Sequence, residues 1–143
     1  MQGSSASTAP EATPSRPAAL RSARAGGLRN AALELHKALL DAQRVRYERG
    51  QGQFGSSGRF LELVLRHPTF EWLRALSALI ARLDALEEDL AREEFTVIED
   101  ALRSLIHPEG RNRSFTAPYW VLVEAVPDVL VAHVKLWQLL NAR

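Results

Sequence analysis

The stretch Val121–Leu140, VLVEAVPDVLVAHVKLWQLL, carries apolar residues on nearly every side of a helix, and its reading decides the fold class. At helical spacing Leu122, Val126, Val129, Leu136 and Leu140 form one stripe, with Val123, Leu130, Val134 and Trp137 forming a second beside it. Two adjacent apolar stripes predict burial against several neighbours, which makes this stretch the expected centre of a helical bundle. Glu124, Asp128 and Lys135 interrupt the run and Pro127 divides it. A membrane span wants about 20 predominantly apolar residues, so none is expected. Pro127 lacks a backbone donor and clashes with the preceding turn, which predicts a kink, or one helix ending near Val126 and another beginning at Pro127.

Upstream, Ser114 or Thr116 is the expected cap of this terminal pair, after a loop Glu109–Ser114 that holds Gly110. A helix over Glu94–Ile106 would bury Phe95, Ile98, Leu102 and Leu105. Before it, Leu73, Leu76, Ile80, Leu83 and Leu90 follow the three-four alternation of a bundle seam, with Thr69 as cap and Phe70 and Trp72 at the head. The two patterns are one residue out of phase, since continuing the first would turn Glu94, Val97, Ala101 and Ser104 inward. A turn is therefore predicted in the acid-rich stretch Glu87–Glu94, and one straight helix of about 55 Å from Phe70 to Ile106 is not expected.

Further upstream, a short helix Arg59–Arg66 would bury Phe60, Leu61, Val64 and Leu65 and stop at Pro68. The run GQGQFGSSG over residues 50–58 reads as a loop pinned by Phe54. It lacks the GK[ST] ending and the preceding strand of a phosphate loop. A first long helix is expected over Ala31–Arg49, capped by Asn30, with Leu35, Leu39 and Ala42 as its stripe and Leu40 and Tyr47 widening it. Residues 1–27 are rich in Ala, Ser, Pro and Arg, hold one acid and show no apolar period, so they are expected to form a disordered tail ahead of a domain over 28–143. Arg21, Arg24 and Arg29 on one helical face also overlap the composition of an organelle transit segment.

The expected fold is thus all-α, a single-domain bundle of about five to six helices. With 143 residues, 46% of them hydrophobic and 24% charged, the chain can bury one core. It has no cysteine, which excludes disulfides and thiolate chemistry and agrees with a reducing, cytoplasmic setting. A net charge of +1 gives no overall pull toward nucleic acid, and the arginines lack interleaved aromatic or groove-reading groups, so no nucleic-acid partner is expected.

No E-x-x-H or H-E-x-x-H spacing occurs and no G-x-S-x-G elbow, so neither a metal nor any other cofactor is expected and no catalytic residue is assigned. Two histidines lie where a seam should be apolar. His133 stands between Val129 and Leu136, and His36 stands near Leu40 and Tyr47; Asp84, Arg74 and Ser77 flank the third seam. Each histidine is either a core side chain hydrogen-bonded to a neighbour or part of a polar pocket built from His36, His133, Asp84, Tyr47 and Trp72. On either reading His133 should be buried and hydrogen-bonded, with Asp84 or His36 as the expected partner.

The segments LHKALLDAQRVRYE (35–48), HPTFEWLRALSALIARLD (67–84) and PDVLVAH (127–133) resemble parts of small bacterial helical proteins to which no activity is assigned. The resemblance covers about residues 35–140 and implies an intracellular bacterial protein; it carries over no site residue. Two functions follow as expectations: a non-enzymatic helical domain acting through a protein partner or a homodimer, and a small-molecule or acid-base bundle using the histidine pocket. An enclosed cavity of ~300 Å³ or more walled by both histidines would favour the second.

Overall fold

The computed structural model describes residues 16–51, 56–86 and 92–142, and within them the chain forms seven α-helices and no strand. They are α1 Arg16–Gln51, α2 Ser57–Arg66, α3 Pro68–Glu71, α4 Arg74–Ala85, α5 Arg92–Ile106, α6 Arg113–Ala125 and α7 Pro127–Asn141. The count exceeds the expected five to six because one turn, α3, is set off from α4 at Trp72–Leu73, while the division at Pro127 is the expected one. There His67 rather than Thr69 supplies the cap: Pro68 fills the first helical position and Thr69 N–H donates to His67 Nδ1 at 3.1 Å.

The spine is α1, not the terminal stretch. It lies along α7 on one side and α4 on another, and touches α3, α5 and α6 as well. Leu28, Ala31, Ala32, Leu35, Leu39 and Ala42 form its buried stripe. It begins fifteen residues before the expected Ala31, which corrects the tail assignment over residues 16–27; residues 1–15 lie outside the described part. The reason is tertiary. Arg24 reaches Glu99 Oε2 at 2.7 Å and the Leu140 carbonyl at 3.2 Å, while Ala25 is buried in the core. Those contacts outweigh the intrinsic cost of Gly26 and Gly27, about 1 kcal/mol each in a helix interior. Arg103 also donates to the Leu140 carbonyl at 2.6 Å, so two guanidiniums satisfy the C-terminal end of α7, where the helix dipole favours cations. Arg24 and Arg29 both hold partners on other helices, Arg29 through an exposed pair with Asp84 at 3.0 Å.

The phase slip marks a break, although residues 92–94, expected in the turn, already belong to α5 and residues 87–91 lie outside the described part. α4 ends at Ala85 with Leu86 as its C-cap, α5 starts at Arg92, and the two pack side by side. Phe95, Ile98, Leu102 and Leu105 are all buried, as their spacing predicts, while Leu90 lies outside the described residues. At Pro127 the chain turns through 116° between α6 and α7. That angle splits the second apolar stripe: Val123 is buried, but Leu130 and Val134 are exposed because α7 turns Val129, Ala132, Leu136 and Leu140 inward instead. No single helix among the described residues is long and apolar enough to cross a membrane.

Two further expectations are corrected. On α2, Phe60 and Val64 are partly buried while Leu61 and Leu65 are each 58% exposed, so only one side of this short helix meets the bundle. On α6 the cap is Asn112, whose side chain accepts from Phe115 N–H at 3.3 Å, ahead of both Ser114 and Thr116. The expected pin Phe54 lies outside the described residues.

Candidate functional site

His133 is 8% exposed, as its position on the stripe predicts, but its partner is neither Asp84 nor His36. The 116° turn folds α7 back on α6 and sets His133 Nδ1 2.5 Å from the hydroxyl of fully buried Tyr119. A phenol has one proton to donate, and giving it to Nδ1 satisfies both groups, with the imidazole proton on Nε2. Around the pair stands a column of rings. Trp72 packs on Phe115 at 5.2 Å, Phe115 stacks on Tyr119 at 5.1 Å, and Trp120 meets His133 edge-on at 4.9 Å. Burial lowers the His133 pKa from its usual 6.5 and raises that of Tyr119, so both stay neutral and the bond is a core hydrogen bond between uncharged groups.

The pair gives a direct expectation. Tyr119→Phe and His133→Leu each leave one buried polar group without its partner and should cost about 1–3 kcal/mol in urea unfolding, whereas the double variant should cost much less than the sum. Strictly additive costs would refute the coupling. The pH dependence has a definite sign. A folded pKa below the unfolded 6.5 means that the unfolded state binds the proton first, so this contribution is complete above pH 6.5 and is lost as pH falls from there toward the folded value. His133→Leu should flatten the stability curve over that window.

Trp72 joins that column, and the other candidates lie apart. His36 Nε2 meets Ser77 Oγ at 2.8 Å across the α1–α4 interface, and Ser77 Oγ also donates to the Leu73 carbonyl at 3.3 Å. This serine–histidine contact is not a nucleophile pair in any useful sense: Ser77 lies inside a regular helix, and its own N–H is spent on the Leu73 carbonyl. It belongs to a ladder. Arg29, His36 and Gln43 recur every seven residues on α1 and reach Asp84, Ser77 and the Thr69 carbonyl in turn, which fixes the register of α1 on α3 and α4. Burial lowers the His36 pKa, so it too is a neutral rung. Asp84 is an exposed rung, Tyr47 packs on His67 and Phe70, and Trp72 heads the ring column. The structure therefore does not assemble the expected five-residue pocket, and His36 and His133 are each satisfied by a different helix. Sequence reasoning missed Tyr119 and the ladder; only the ladder left a signal, its seven-residue spacing.

What the surface offers instead is open grooves. One of about 610 Å³ runs between the second half of α1 and the Pro127 elbow, floored by Ala42, Val45, Leu122, Ala125, Val126 and Pro127, with Arg46 and Arg49 at its rim. It continues through Ala42, Val45 and Val126 into a second of about 310 Å³, rimmed by Glu34, Lys37, Asp41 and Asp128. Neither His36 nor His133 lines either groove. A separate cleft of about 410 Å³ on α6 is lined by Arg113, Thr116 and Trp120. Thr116 Oγ1 and Trp120 Nε1 lack partners but are closed to solvent, so that cleft presents their carbon, not their polar atoms. No group of three or more His, Cys, Asp or Glu suited to a metal ion occurs among the described residues. Comparison with family models, curated proteins and solved structures finds no match, so nothing about the site is carried over from a relative.

Proposed function

We propose that this chain is a non-enzymatic, cytoplasmic helical domain that works by binding another protein along the groove between α1 and the α6–α7 elbow. The observation that carries the reading is the character of that groove: an open channel lined by exposed apolar residues, Val45 at 46% exposure with Ala125 and Pro127, together with the exposed charges of Asp41, Arg46, Arg49 and Asp128. Interfaces are built this way, with an apolar centre and a polar rim. His133 and His36, by contrast, are hydrogen-bonded to Tyr119 and Ser77 across helix contacts and line neither groove. A lack of cysteine agrees with the reducing compartment proposed.

Site-specific photocrosslinking in cells that make the protein tests this. A photoreactive residue in place of Val45 should give a discrete protein adduct, while the same residue in place of exposed Arg82 on α4 should give none. Equal adducts from both positions, or none from Val45, would overturn the proposal.

A further inference from the structure

Resting on the groove being a docking surface, we infer that its occupant is an amphipathic helix carrying acidic side chains about two turns away from basic ones. The shape comes first. From Glu34 to Arg49 the groove follows fifteen residues of α1, about 22 Å at 1.5 Å per residue, which matches four turns of a partner helix laid alongside. Ala42, Val45 and Val126, the residues common to both grooves, are all apolar, so the partner presents an apolar stripe there.

The charges then restrict which amphipathic helix fits. Arg46 and Arg49 line the larger groove at one end, while Asp41 and Asp128 line the smaller one at the other. All four are exposed, and no ion pair among the described residues engages any of them. Lys37 adds one positive charge at the acidic end, and Glu34 is already paired with Lys135 at 3.0 Å, so the acidic end is carried by the two aspartates. From Asp41 to Arg49 is eight residues of α1, about 12 Å, or two helical turns. A partner bearing Glu or Asp opposite the arginines and Lys or Arg opposite the aspartates meets attraction at both ends. A uniformly acidic or uniformly basic helix meets repulsion at one of them, and rim charges of this kind decide partner choice and association rate more than total affinity. A purely anionic partner such as nucleic acid is disfavoured by the same aspartates.

Three labelled fifteen-residue peptides with one shared leucine stripe test the inference by fluorescence polarisation on the full chain. One carries two lysines and two glutamates centred two turns apart, one carries only lysines at those four positions, and one only glutamates. The mixed peptide should bind at least tenfold more tightly than either uniform peptide at low salt, and Arg46→Glu/Arg49→Glu should remove that advantage. Both substituted side chains are exposed, and circular dichroism reports that the variant is folded. Equal binding by all three peptides, binding by none, or a preference that survives the arginine reversal would overturn the inference. A crosslinked adduct at Val45 alongside such a result would leave the docking surface standing and the charge pattern refuted, whereas no adduct and no binding would remove both.

Discussion

Gly110→Ala should be among the most damaging single substitutions in this chain, costing about 3 kcal/mol or more and lowering the thermal midpoint by on the order of 10 °C. Gly110 is buried in the turn between α5 and α6, where its N–H donates to the His107 carbonyl at 2.9 Å. A Cβ built there would lie 2.0 Å from the Ser104 carbonyl oxygen, 3.1 Å from that of His107 and 3.0 Å from Thr116 Cγ2. The nearest obstacle is helix backbone, which has no rotamer to change. Relief requires moving the turn away from the end of α5 by about 1 Å, which loosens Ile106 and Phe115 on either side, both buried in the core. Gly26→Ala provides the contrast, because nothing lies within 4 Å of the added methyl and the site is helical. It should raise stability by up to about 1 kcal/mol. Urea unfolding of the two variants measures both, and an unchanged midpoint for Gly110→Ala would contradict the close approach.

Gly110 also shows where sequence reading stops. Its neighbourhood reads correctly as a loop, since a glycine after His107-Pro108 ends a helix by local chemistry. That a carbonyl from α5 closes over it depends on how α5 and α6 pack, which no local pattern records. The same division holds for the site. The break between α4 and α5, the burial of Phe95, Ile98, Leu102 and Leu105, and the division at Pro127 all follow from spacing along one helix. The burial of His133 follows from the same spacing. Its partner was not legible, because Tyr119 reaches it only through a 116° turn whose size the proline does not specify. The groove combines residues of α1 with residues at the elbow some eighty positions later, and no spacing along either helix alone links them.

Removing residues 1–27 should lower the midpoint by on the order of 10 °C, although composition alone predicts a change of only a few degrees. The truncation deletes the Arg24 guanidinium that bonds Glu99 and the Leu140 carbonyl, a half-buried, charge-assisted contact worth about 1–2 kcal/mol. Glu99 keeps only the longer 3.8 Å approach of Arg103. The cut also removes buried Ala25 and leaves Leu28, 1% exposed in the intact chain, at a frayed helix end whose burial is worth about 2 kcal/mol. Together these come to roughly 3–4 kcal/mol, and a domain of this size loses about 3–5 °C per kcal/mol. Removing residues 1–15 alone takes away none of these contacts and serves as the comparison. Arg24→Ala in the full chain should fall between the two and lose part of its effect in high salt, where the exposed side of the ion pair is screened. Identical midpoints for the two truncations would show that the first three turns of α1 are not part of the folded unit.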